Sequence, residues 1–101
     1  MTAALPTNPI VIVQLPKQVE MANIPALTND LDRKIQSGRK VILDFSQTCF
    51  IQSEAISLFL DGVAKAQQRS ARLSLRGVRP SIKVRLEANG ILDYFRRNPH
   101  H

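Results

Sequence analysis

The side chains able to do chemistry in this sequence are few, and those that stand out lie between Asp44 and Ser57. Both histidines are at the very end, His100 and His101, so the interior lacks the commonest general base and metal ligand. The four glycines, Gly38, Gly62, Gly77 and Gly90, stand singly, so no Gly-rich loop is available to cradle a phosphate. Asp30 and Asp32 are two apart on a predicted helix, which turns them to different faces and spoils them as an acid/base pair. No metal site and no cofactor is predicted, and an enzyme is disfavoured. Ser53 and Glu54 have a structural reading of their own. A serine at a helix N-cap accepts a backbone N–H, and a glutamate in the first turn gains about 0.3–1 kcal/mol from the helix dipole. Asp44, at the end of an apolar run, suits an Asx turn.

The frame around these residues is small. The chain has 101 residues, of which 44% are hydrophobic and 22% charged, the balance of one globular domain. The single cysteine, Cys49, has no internal partner and lies beside Phe50 and Ile51, where a thiol packs as a small hydrophobe. A reducing cytoplasm is the expected setting. Met1 to Pro6 lacks the basic and apolar segments of a signal peptide, and runs such as Ile10 to Val13 are too short to span a bilayer, so no integral membrane segment is predicted. Residues 1–68 carry six basic and six acidic side chains, and residues 69–101 eight against two, so all of the +6 net charge sits in the last third. Arg72, Arg76, Arg79, Lys83 and Arg85 form its centre. Such a surface suits an acidic protein partner, anionic lipid or nucleic acid, although Arg72 and Arg76 also read as a solvated strand face. Nucleic acid is disfavoured, because the five aromatics are mostly at core spacing and offer no stacking platform.

Hydropathy supplies the elements that must hold these residues. Ile10 to Leu15 reads as a strand ended by Pro16. Asn23 and Pro25 open a helix that runs Ile24, Leu27, Leu31, Ile35 along one face and closes at Ser37–Gly38. Val41 to Phe45 is a continuous apolar run, the pattern of a central strand covered on both faces. A second helix runs from Ser53 to about Ser70, with Ile56, Phe59, Leu60, Val63 and Ala64 at helical spacing. Arg72 to Arg76 alternates as a strand with its leucines inward. A third helix begins near Pro80 and ends at Asn89–Gly90, and Ile91, Leu92, Tyr94 and Phe95 add a final apolar cluster. Residues 10–97 are expected to form the domain, with tails at 1–9 and 98–101, the latter native or the remnant of a purification tag. This order predicts an α/β domain with right-handed crossovers between neighbouring parallel strands.

The segment Val41 to Leu60, VILDFSQTCFIQSEAISLFL, resembles the signature region of STAS domains, the fold of bacterial anti-sigma factor antagonists. In that family a strand ending in Asp and a polar turn lead into Phe-Ile-Asp-Ser-Ser-Gly-Leu at the start of the second helix. The resemblance continues through Asn23 to Leu27 and Ser74 to Leu92, covering about residues 10–95. It implies a small domain with a central mixed β-sheet of about four to five strands and helices mainly on one face. It also implies a partner: an ATP-binding serine kinase that doubles as an anti-sigma factor and phosphorylates the second serine of the motif, with a phosphatase to reverse the reaction.

Residue by residue, the motif's Asp falls on Gln52, its first Ser on Ser53, its phosphorylated Ser on Glu54, its Gly on Ala55 and its Leu on Ile56. Glu54 accepts no phosphate and carries about −1 where phosphoserine carries roughly −1.5 to −2. The chain is therefore either held in one state or switched at another hydroxyl, with Ser53 first and Thr48 and Ser57 behind it. The partner-binding surface expected on this basis comprises Asp44, Gln52, Ser53, Glu54, Ala55 and Ser57. Two further readings stand beside it: an accessory subunit of a membrane transport assembly, a role STAS domains also fill, and a nucleic-acid binder using the basic third.

Overall fold

Three five-residue strands, each apolar at alternate positions, build one sheet with a covered and an open face. The computed structural model describes residues 10–97. Strands β1 (Ile10–Gln14), β3 (Lys40–Asp44) and β5 (Arg72–Arg76) lie in the order β1-β3-β5, all parallel. The register aligns Val11, Val41 and Leu73, then Val13, Leu43 and Leu75, on the inner face. The other face carries Ile12, Ile42 and Ser74 in one row, and Ile12 is 46% exposed. β3 is thus covered on one face and only half-covered on the other, where Lys40 and Ile42 stand.

Two further strands, β2 (Gln18–Val19) and β4 (Phe50–Ile51), pair in parallel as a separate two-residue ladder. They extend the β1/β3 pairing beyond a break. Pro16 has no N–H to give to a ladder, and the chain turns after β3 with the Thr48 amide bonded to the Phe45 carbonyl at 2.9 Å. Pairing resumes when the Cys49 amide reaches the Lys17 carbonyl at 2.7 Å and the Gln52 amide the Val19 carbonyl at 2.8 Å. The number of strands is the one expected. Among the described residues their pairing is parallel throughout and not mixed, because each return across the main sheet runs through a helix. Runs of two residues are too short to show a period in the sequence, and the reading missed both.

Helix α1 (Ile24–Lys34) follows a 3₁₀ turn at Met21–Asn23. Asn23 caps in reverse of expectation: its Oδ1 accepts the Glu20 N–H at 2.8 Å while the Glu20 side chain accepts the Asn23 amide, a capping box for the 3₁₀ turn. Helix α2 (Ile56–Gln68) buries Ile56, Leu58, Phe59, Gly62 and Ala66. Leu60 and Ala64, assigned to this face by spacing, are exposed instead. At about 100° per residue, position 60 is turned away from the arc centred on Phe59, Gly62 and Ala66. Helices α3 (Pro80–Ala88) and α4 (Ile91–Arg97) complete the fold, so the terminal apolar cluster is itself helical, with Ile91 buried. The tails at 1–9 and 98–101, with His100 and His101, and the Phe95 side chain lie outside the described residues.

The core forms between the inner sheet face and the helices, where the Phe45 and Phe59 rings meet at 5.5 Å between centroids. α1 and α2 are also tied at their C-terminal ends. Arg69 donates to Asp32 Oδ1 at 2.7 Å and to the Asp32 and Ile35 carbonyls at 2.8 and 3.0 Å. That guanidinium, with Lys65, holds the Asp32 carboxyl below its usual range. Asp30 pairs with Arg33 and Lys34 of its own helix, so the two aspartates do face apart. Among the described residues no helix is long and apolar enough to cross a membrane.

Candidate functional site

At the C-terminal end of β3 the chain must leave the sheet, loop over the β1–β2 connection and start α2, and the loop is held by side chains at every step. Asp44 performs the Asx turn expected of it: Oδ1 accepts the Ser46 N–H at 2.8 Å. Its Oδ2 accepts from Arg76 Nη2 at 2.8 Å, across the β3/β5 pair. The Arg76 hydrogen bond and then the Ser46 amide hold the carboxyl down to about 2. Gln47 Nε2 donates to the Leu15 carbonyl at 2.8 Å, and Thr48 Oγ1 donates to the Pro16 carbonyl at 2.9 Å. Gln52 Oε1 accepts the Met21 N–H at 3.0 Å. The loop is thereby pinned before the helix begins.

Three expected surface residues are therefore not on the surface. Asp44 is 6% exposed, and Thr48 and Ala55 are fully buried. Asp44 is consumed by the turn and by Arg76, which removes it from any contact patch. Thr48 has its hydroxyl in the Pro16 hydrogen bond with no solvent path, which removes it as a phosphate acceptor. Ala55 faces the core as the last residue of a 3₁₀ turn, Ser53–Ala55, that leads into α2. Gln52 is half-buried and serves the loop.

What the loop presents outward is a compact set: Phe50, Ser53, Glu54 and Ser57 are all exposed, with Met21 beside Gln52 and Leu60 one turn further along α2. Ser57 Oγ donates to the Glu54 carbonyl at 3.3 Å. Ser53 does not cap the helix. Gln52 precedes the 3₁₀ turn in extended conformation with no side-chain cap. The Ser53 hydroxyl instead accepts from Arg85 Nη2 at 3.1 Å, and the same guanidinium lies 6.0 Å above the Phe50 ring. Cys49 is exposed too, contrary to the expectation that its apolar neighbours would bury it. Cys49 lies before β4, on the turn that leads into it, and within β4 Phe50 and Ile51 face opposite sides, so only Ile51 is buried.

The basic third divides by position. Arg76 belongs to Asp44, and Arg79 Nη2 reaches the Ser46 carbonyl at 3.3 Å, so both brace the loop from behind. Arg72 and Lys83 are exposed, Arg72 at the opposite end of β5 from the loop. Only Arg85 enters the outward-facing set. The sequence treats it as one more cation, because nothing in residue type or spacing ties it to a serine 32 positions away. Met21 was missed for the same reason, since Gln52 finds it across 31 positions.

The set contains a hydroxyl, a carboxylate, a guanidinium and an exposed aromatic ring. Among the described residues no three of His, Cys, Asp and Glu stand together as metal ligands. A family model of the STAS domain matches residues 3–101, essentially the whole chain. No curated protein matches. The parallel α/β core agrees with the family match, which includes the loop into α2: the chain belongs to the STAS domain family.

Proposed function

We propose that this chain is a regulatory binding module of the anti-sigma factor antagonist type, working in the cytoplasm within a partner-switching pathway. Its partner is an ATP-binding serine kinase that doubles as an anti-sigma factor, and a phosphatase resets the module. The docking surface is Phe50, Ser53, Glu54 and Ser57, with Met21 and Leu60 at its edge. One observation carries the reading: Ser53 and Glu54 stand side by side, both exposed, on a turn whose approach is held by the Thr48–Pro16 and Gln52–Met21 hydrogen bonds.

Glu54 occupies the position of the family's phosphoacceptor and supplies a permanent charge of about −1, fewer than the −1.5 to −2 of a phosphoserine. The charge that is switched then resides on Ser53. Of the three hydroxyls, Thr48 is buried and Ser57 donates back to the Glu54 carbonyl of the preceding 3₁₀ turn, which leaves Ser53 facing a kinase. The basic third favours a protein partner over nucleic acid, because Arg76, Arg79 and Arg85 are already engaged with groups of the loop and turn.

The test is calorimetric titration against the kinase-type anti-sigma factors of the same cell, with the wild type and with Glu54→Ser. Binding by either supports the module. Silence from both, with co-purification of a permease or transport ATPase, would assign the chain to a transport assembly.

A further inference from the structure

Arg85 is the most conspicuous cation of the site. No carboxylate among the described residues pairs with it, whereas Arg33, Arg69 and Arg76 each have one. Its Nη2 donates to the neutral Ser53 hydroxyl at 3.1 Å. Its Nε is buried and has no hydrogen-bond partner among the described residues. A buried N–H without an acceptor is costly, and more so on a charged group. Nε–H and the adjacent Nη2–H form one edge of the guanidinium, the edge that grips two oxygens of an oxyanion side-on. Here one half of that fork donates to a hydroxyl and the other half has no acceptor among the described residues.

We propose that Arg85 is a built-in receptor for a phosphate carried on Ser53. The inference rests on the antagonist reading for the source of that phosphate: a nucleoside triphosphate bound by the partner kinase. In the transfer, Ser53 Oγ forms a bond to the γ-phosphorus, the bond from that phosphorus to the β–γ bridging oxygen breaks, and the hydroxyl proton passes to a base of the kinase. The product places three acceptor oxygens on the phosphorus, two bonds beyond the Oγ to which Arg85 Nη2 now donates. Nη2 and Nε then each have an oxygen.

The same pairing answers the problem that Glu54 poses. A phosphate of about −1.5 to −2 charge beside a carboxylate is repelled, and an arginine within bonding distance offsets the repulsion. Formation of the pair also draws the guanidinium from Phe50 and alters the docking surface at its aromatic member.

The experiment introduces phosphoserine at position 53 of the full chain by genetic encoding and follows its ³¹P resonance through pH, in the wild type, Arg85→Gln and Arg85→Lys. An exposed phosphoserine titrates near pH 6, and a paired guanidinium favours the dianion. The midpoint in the wild type should lie about half a unit or more below that of Arg85→Gln, with Arg85→Lys between. Phosphorylation should also raise the melting temperature of the wild type relative to its unmodified form, and not that of Arg85→Gln. Superposable titrations in the wild type and Arg85→Lys, or in all three, overturn the proposal. Because Arg85→Lys keeps the charge, it gives the answer even if Arg85→Gln does not fold. No kinase enters the experiment, so absence of a kinase partner sinks the antagonist reading without touching this result.

Discussion

Asp44 and Arg76 face each other across the parallel β3/β5 register, carboxylate to guanidinium at 2.8 Å, while the other carboxylate oxygen holds the Ser46 amide. One side chain thus ties the third strand of the sheet to the loop that carries the site. Its carboxyl titrates at about 2. An unfolded aspartate titrates near ~3.9. A carboxyl depressed in the folded state adds stability above the unfolded value, and that stability is lost as pH falls toward the folded one. Urea midpoints should therefore be flat in this group above about pH 5 and should fall from about pH 4 toward pH 2. Asp44→Asn should be less stable than the wild type at pH 7, and the two should converge near pH 2.

Thr48 tests whether the loop depends on its buried hydroxyl. Thr48→Val keeps the shape and deprives the Pro16 carbonyl of its donor, which should cost about 1–2 kcal/mol in urea unfolding. Phosphosite mapping of protein from its own host should find Thr48 unmodified.

Two glycines should respond with opposite sign to alanine. A Cβ at Gly62 meets Leu31, Ile35 and Leu73 at 3.8–3.9 Å, ordinary contact distance, in a helix interior. Gly62→Ala should therefore stabilise by about 0.4–1 kcal/mol. Gly77 has φ +68°, and a Cβ there lies 2.9 Å from that of Ser46. Gly77→Ala should destabilise by roughly 1–3 kcal/mol and disturb the loop that Ser46 begins. Thermal melts of the two variants read both signs.

Phe50 is 45% exposed and lies outside the buried core cluster, so Phe50→Ala should leave the melting temperature within a few degrees of the wild type. Against the cognate anti-sigma factor the same variant should lose tenfold or more in affinity, the behaviour of an aromatic anchor. Loss of stability in place of affinity would make Phe50 a structural residue.

The elements whose apolar side chains recur over many residues were legible before any fold was known. α1, α2, α3, β1, β3 and β5 all stand where the sequence pattern places them, with ends that differ by one to three residues, α2 beginning at Ile56 after the 3₁₀ turn over Ser53–Ala55. The turn made by Asp44 was legible too, because an Asx turn is formed by a residue and its own near neighbours. β2 and β4 were not, since two residues carry no period, and neither was the reverse cap of Asn23, which depends on the Glu20 conformation.

By itself, then, the sequence determined the α/β order, the membership in the STAS family and the composition of the signature loop. Only the tertiary structure decided which members of that loop face outward. Thr48 and Ala55 turned inward, Asp44 was taken up by Arg76, and Ser53 was given Arg85 as its neighbour. The reason is range. Periodicity and turn preference act over a few residues, whereas a hydroxyl 32 positions from a guanidinium meets it only after the sheet and helices have closed on their common core.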